Sequence, residues 1–412
     1  SPLLSSPTAQ PEARFKAMAR LPQLCLLLSA PAALASSQRA DRADLVLLDL
    51  DAFPSARCLD GTPGAYYYRR ASEARGRRWI VALEGGGECV ENSTCLERRR
   101  TGLGSSARYG ATKSLAGMLS ADAAENPDFA AWHHVYVKYC SQDLHLGTMA
   151  ASDPARWGWA RFSGARIVSA VLESLAAERG LADAETLVWS GYSAGGIGSV
   201  AHLDQVAERF PTSRVVGAPI AGYYWDDATP YAGRGAAPHV PFGVEAFRRY
   251  HSLWQMYVPK ECAGGPHAAD PWACGLAYYS FPTLRAPIFV IEALVDSVQL
   301  GLHAGVRSCQ ASEELGRYCL KWGANMTAAL EQVALRGRRN ASAAGLFAPA
   351  CYLHTGFLAT APTIGARSYL RAFGDWLLRP GRGDGVSEDR CCEEAAVAYN
   401  PTCPGAAGVV WV

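Results

Sequence analysis

The stretch Leu187-Val188-Trp189-Ser190-Gly191-Tyr192-Ser193-Ala194-Gly195-Gly196-Ile197-Gly198 constrains this chain most. A short apolar run meets a Gly-X-Ser-X-Gly pentapeptide and continues into a segment that reads as a helix over Ala201 to Arg209. That order is the sequence form of a nucleophile elbow, in which a sharp strand-to-helix turn projects a serine from the end of a sheet. Gly191 and Gly195 stand two residues before and after Ser193, where side chains would obstruct so tight a turn. A helix starting beside Ser193 would aim free N–H groups and the positive end of its dipole at an oxyanion formed there.

The flanking segments alternate. Apolar runs at Leu45 to Leu48, Ala65 to Tyr68, Trp79 to Leu83, His134 to Tyr139, Arg214 to Ile220 and Pro287 to Leu294 read as strands. Gly164 to Arg179 reads as a helix with Ile167, Val168, Val171, Leu172 and Leu175 on one face, stopped by Gly180. Val306 to Leu335 reads as mostly helical, and Ser368 to Leu378 as a final helix. Strand and helix in alternation predict an α/β fold of the hydrolase type: a mostly parallel sheet flanked by helices. Residues 227 to 280 have weak periodicity and read as an insertion over the sheet edge or the site. The expected catalytic domain covers 36–380, and residues 381–412 form a cysteine-containing tail packed on it.

The amino terminus points to export. From Met18 the chain has a basic start, an apolar stretch from Leu21 and the small-residue end Ala33-Leu34-Ala35, the pattern of a secretory signal peptide cleaved after Ala35. Residues 1–17 read as upstream sequence. The apolar stretch is too short for a membrane span. Of 13 cysteines, Cys25 lies in the leader, leaving 12 that can pair in an oxidising compartment. Cys89 with Cys95 and Cys309 with Cys319 are plausible local bridges. Sequons begin at Asn92, Asn325 and Asn340. The formal net charge of +1 gives no electrostatic case for a nucleic-acid partner.

A serine needs a base. In this fold class the partners follow in the order serine, acid, histidine. Asp296 stands just past the Pro287 strand and is the best-placed acid; Glu292 is a reserve that strand alternation would turn elsewhere. His202, His239, His251, His267, His303 and His354 follow Ser193, but only His303 and His354 follow Asp296. His303 falls on a predicted helix, whereas His354 lies on a loop-like stretch before the last helix, where the base is expected. Gly85-Gly86-Gly87 at the end of the Trp79 strand offers bare N–H groups, unless it is only a flexible turn. Those of Gly87 and Glu88 would face that of Ala194 across an oxyanion hole. Tyr223, Tyr224 and Trp225 fit a pocket wall or plain packing. The chemistry expected is acyl transfer, with no metal or cofactor.

Several stretches resemble the pectin acetylesterase/Notum family of secreted serine carboxylesterases. They are Cys58-Leu59-Asp60-Gly61-Thr62-Pro63, Leu83-Glu84-Gly85-Gly86-Gly87, Thr101-Gly102-Leu103-Gly104-Ser105-Ser106, Asn126-Pro127-Asp128-Phe129, the Ser193 elbow, Asp296-Ser297-Val298-Gln299 and Cys351-Tyr352-Leu353-His354. The resemblance runs from about Cys58 to Cys403. It implies an α/β-hydrolase-like fold with Ser193, Asp296 and His354 as catalytic residues. Its members act on acetylated polysaccharide or, in the Notum branch, on palmitoleoylated Wnt proteins. Two positions depart from the family pattern. Glu88 replaces a tryptophan, which disfavours a long apolar acyl pocket because burying an unpaired charge is costly. Thr355 replaces a cysteine frequent in plant relatives, so one bridge would be absent or rearranged. The expected function is a secreted glycan O-acetylesterase. A Notum-like deacylase and a non-catalytic binding protein on the same fold are the alternatives, and the intact catalytic set argues against the last.

Overall fold

The structure, a computed structural model, describes residues 42–72, 76–226, 229–381, 385–389 and 400–404. The leader, and Cys391 and Cys392, lie outside these residues. The strands are β1 (Arg42–Leu47), β2 (Ala65–Arg69), β3 (Arg78–Leu83), β4 (Thr112–Ser114), β5 (His133–Val137), β6 (Thr186–Tyr192), β7 (Arg214–Ile220), β8 (Ile288–Ile291), β9 (Val295–Asp296), β10 (Ala344–Ala348), β11 (Tyr352–Leu353), β12 (Thr363–Ile364), β13 (Arg367–Ser368) and β14 (Val386–Glu388). Ten of them form one sheet in the order β14-β10-β8-β7-β6-β3-β5-β2-β1-β4. From β14 to β5 the neighbours run parallel; β2, β1 and β4 are added antiparallel at one edge.

The inner strands are apolar on both faces because both faces are covered. Along β6, Leu187 and Trp189 face one core and Val188 faces the other. The first core is closed by α1 (Gly164–Glu178), α2 (Ala194–Arg209) and α3 (Glu313–Arg339). The second is closed by α4 (Tyr369–Leu378), together with Met118, Phe129 and Trp132. A third apolar cluster, built from Tyr139, Leu144, Phe162, Tyr224, Phe247 and Trp254 among others, caps the carboxyl end of the strands.

Three differences from the sequence reading have physical causes. The helix after the elbow begins at Ala194 rather than Ala201, because its glycines face Leu83, Gly222 and Leu144 too closely for any side chain. The 227–280 insertion is not irregular throughout: Val244–Trp254 is helical, burying Phe247, Tyr250 and Trp254 on one face. The long helix starts at Glu313, where the Ser312 hydroxyl caps the Leu315 N–H, and not at Val306.

Five disulfides join described residues: Cys58–Cys140, Cys89–Cys95, Cys262–Cys274, Cys309–Cys319 and Cys351–Cys403. Cys351, three residues before His354, is thus bridged to the last segment, which also supplies edge strand β14. Among the described residues no helix is long and apolar enough to cross a membrane.

Cys58–Cys140 is wholly buried and ties the turn after β1 to the end of β5 across 82 residues. Removing it as the Cys58→Ala/Cys140→Ala pair is expected to cost about 2–4 kcal/mol. Urea unfolding checks this, and a loss below about 0.5 kcal/mol would contradict it.

Candidate active site

Ser193 sits at φ 56°, ψ −122°, a backbone region that a non-glycine residue enters at a cost. The surroundings hold it there. Its N–H donates to the Ile220 carbonyl at 2.9 Å, and its carbonyl accepts the Ile197 N–H at 3.0 Å, opening α2. A β-carbon on Gly191 would stand 2.1 Å from the Gly195 carbonyl oxygen, and one on Gly195 would stand 2.1 Å from that of Leu83. The two glycines that the pentapeptide requires are therefore explained by three backbones in contact.

Asp296 and His354 come together through a two-residue ladder. β9 pairs with β11 in parallel, Val295 with Tyr352 and Asp296 with Leu353. Asp296 is fully buried. Its Oδ1 accepts the N–H groups of Val298 (2.9 Å) and Gln299 (2.8 Å), and its Oδ2 accepts Nδ1–H of His354 at 2.7 Å. With the proton on Nδ1, Nε2 is left as the basic nitrogen; it is buried and has no hydrogen-bond partner among the described residues.

Ser193 and His354 line one cavity of about 730 Å³, together with Gly85, Gly86, Gly87, Glu88 and Ala194. All six residues singled out in the sequence therefore meet there, Asp296 through its bond to His354. The N–H groups of Gly87, Glu88 and Ala194 make no backbone hydrogen bond among the described residues.

The glycine loop is braced from below by a segment that its polarity alone marks as surface. Residues 141–146 are buried, and Gln142, Leu144 and His145 have φ near +60° (58°, 57° and 60°). Asp143 holds the turn by accepting the Ser141 hydroxyl at 2.6 Å and the Gly164 N–H at 2.8 Å. His145 donates Nε2–H to the Glu84 carbonyl at 2.9 Å. The Tyr139 hydroxyl accepts the Leu144 N–H and donates to the Gly87 carbonyl, both at 2.8 Å. Burial pushes the His145 imidazole down to about 4, so it stays neutral at physiological pH. Sequence reading missed Tyr139 and His145; the signal was several polar residues in succession directly after a buried strand.

The aromatic trio divides. Tyr224 lines the cavity together with Ser193. Tyr223 reaches away to the Ala329 carbonyl, and Trp225 packs on Trp322. His303 also lines the cavity; its Nδ1–H donates to the Val240 carbonyl, and burial lowers its pKa to about 4. Glu88 is half-buried in the cavity wall, and desolvation there pushes its carboxyl up to about 7 despite the charge of Arg98. The cavity is nonetheless roomier and more apolar than the Glu88 substitution suggests: Leu115, Leu119, Ile197, Phe242, Leu302 and Phe357 line it too.

The sequence profile described as pectinacetylesterase matches residues 36–404. The chain belongs to the pectinacetylesterase family. It is 30% identical to pectin acetylesterase 11 of Arabidopsis thaliana over 85% of its length and 89% of that protein. It is 32% identical to the human palmitoleoyl-protein carboxylesterase NOTUM, over 73% of this chain but only 59% of the human protein. Among solved structures, the Wnt deacylase Notum from Drosophila superposes with a TM-score of 0.74 at 28% identity, covering 88% of this chain and 99% of that one. This family member is a carboxylic ester hydrolase of α/β-hydrolase-like fold.

The esterase should carry a pH signature from Glu88. In the unfolded chain its carboxyl ionises near 4.5, in the folded protein only near 7. Between those values the folded state keeps a proton that the unfolded chain releases, so stability falls as pH rises from 4.5 to about 7. Glu88→Gln should remove that fall, gaining about 1–3 kcal/mol at high pH and nothing in acid below the lower value. Urea unfolding at both extremes measures it; an equal change at the two would refute it.

Proposed function

We propose that this esterase removes O-acetyl groups from a glycan by a Ser193–His354–Asp296 acyl-enzyme mechanism. The observation carrying the proposal is the His354 imidazole, held by Asp296 through Nδ1 with Nε2 unpartnered in the cavity that Ser193 lines. Nε2 takes the hydroxyl proton as Ser193 Oγ attacks the ester carbonyl carbon. Asp296 keeps the tautomer and stabilises the imidazolium. The carbonyl oxygen gains charge beside the N–H groups of Gly87, Glu88 and Ala194, each worth about 3 kcal/mol to the barrier. Collapse breaks the ester C–O bond, and Nε2–H protonates the leaving alcohol. Water then repeats the sequence on the acetyl-serine. Hydrogen bonds of this kind often close fully only in the Michaelis complex.

Charged walls favour a polar alcohol. Glu88, Arg98 and Lys113 border the cavity, and an acetyl group fills little of about 730 Å³, leaving room for sugar hydroxyls. A second reading, deacylation of a fatty acylated protein in the manner of Notum, is favoured by the apolar residues that line the same cavity. Export fits either substrate: five disulfides persist in an oxidising compartment, and the sequon residues Asn92, Asn325 and Asn340 are all exposed.

Ser193→Ala should lower kcat for p-nitrophenyl acetate by about 10⁴-fold or more. Wild type should prefer acetyl over octanoyl esters in kcat/KM; a strong preference for octanoyl selects the second reading. Tyr139→Phe, which strips the Gly87 carbonyl and the Leu144 N–H of their partner, should cost about 1–3 kcal/mol in stability. It should also reduce kcat with KM nearly unchanged, and an unaltered kcat would detach Tyr139 from the glycine loop's role.

A further inference from the structure

Glu292, the reserve acid of the sequence reading, directly follows the last residue of β8, Ile291, and lies beside Asp296. Both residues are fully buried, and the two carboxyls are neighbours that act directly on one another. Their other partners are unequal. Asp296 accepts three N–H donors, from Val298, Gln299 and His354. Glu292 accepts the Tyr223 N–H on Oε2 at 2.8 Å and is approached by the Ala293 N–H, while its Oε1 is buried with no hydrogen-bond partner among the described residues. Two neighbouring buried carboxyls cannot both be ionised. Charge settles where the donors are, on Asp296, and the proton settles on the oxygen that lacks one.

We propose that Glu292 is a neutral acid whose Oε1–H donates to the Asp296 carboxylate, making Glu292 a positioning residue behind the relay. The inference rests on the Ser193–His354–Asp296 reading. Burial and the neighbouring Asp296 charge both raise the Glu292 carboxyl well above its ordinary range. Among the described residues, the other titratable groups facing the pair are the hydroxyls of Tyr223, Tyr224 and Tyr352, His303 from the turn at Gln299–His303, and His354 itself. None supplies a compensating fixed cation. The Glu292 O–H thus fixes the plane of the Asp296 carboxylate and tempers its basicity, and both effects reach His354 through Nδ1–H.

Glu292→Met and Glu292→Gln test this through the pH profile of ester hydrolysis by the full chain. Methionine removes the donor and keeps the bulk. It should lower kcat about 10–100-fold with KM little changed, and shift the acid limb of kcat/KM, set by His354, to higher pH as Asp296 becomes less neutralised. Glutamine reproduces the pattern of the neutral acid: its amide N–H donates to Asp296 and its carbonyl accepts the Tyr223 N–H. It should rescue most of the lost kcat and return the acid limb to the wild-type position. If Glu292 is instead ionised, Glu292→Gln deletes a charge beside the relay and lowers the acid limb by about one unit or more, which overturns the proposal. So does a methionine variant that matches wild type in both kcat and limb. Should Glu292→Met not fold, the limb in Glu292→Gln decides alone. Failure of the underlying reading shows separately, as hydrolysis that survives Ser193→Ala.

Discussion

The site depends on a place where main chains touch with no room for a β-carbon. At Gly191 and Gly195 the end of β6, the start of α2 and the end of β3 press together, and Ser193 is forced to positive φ as the chain turns. Backbone strain of about 1–3 kcal/mol persists only where surroundings over-determine it. Here the surroundings are two apolar cores meeting on β6, with Trp189 on one side and Val188 on the other. The packing that stabilises the sheet is therefore what holds the serine hydroxyl clear of it.

The other components are placed by polar bonds in dry surroundings rather than by packing. Asp296 and His354 are 58 residues apart, yet two residues of parallel pairing put them in register. The glycine loop is held by Tyr139 and His145 from a segment whose own backbone is bent three times into the left-handed region. Unpaired polar groups in a low-dielectric interior are costly, so such networks tolerate few alternative arrangements. That rigidity suits a site whose N–H groups must already point where charge will develop.

The cavity joins two chemistries. Its walls carry Glu88, Arg98 and Lys113 as well as Leu115, Phe242 and Phe357. Relatives of both kinds, a plant pectin acetylesterase and animal Notum proteins, match this chain at similar identity.

Much of this was legible in the residues. The elbow, the triple glycine and the order of serine, acid and histidine are local patterns whose spacing reflects backbone sterics, and they point to Ser193, Gly87 and His354 without coordinates. The alternation of apolar strands with the amphipathic Gly164 helix likewise declared a largely parallel sheet. What the residues did not declare was burial of polar groups. The stretch from Ser141 to Gly147 has the composition of a surface loop, and only the fold sinks it beneath the site, where its side chains bond to Glu84, Leu103 and Gly164. Glu292 belongs to the same class. Its distance from Asp296 depends on where β8 releases the chain, and a strand's end is set by its neighbours in the sheet rather than by its own residues. Sequence alone determined which chemistry the chain carries, because a tight turn admits few residue types. Tertiary structure decided which carboxyl keeps the charge and how wide the cavity is, because both follow from groups brought together across long separations.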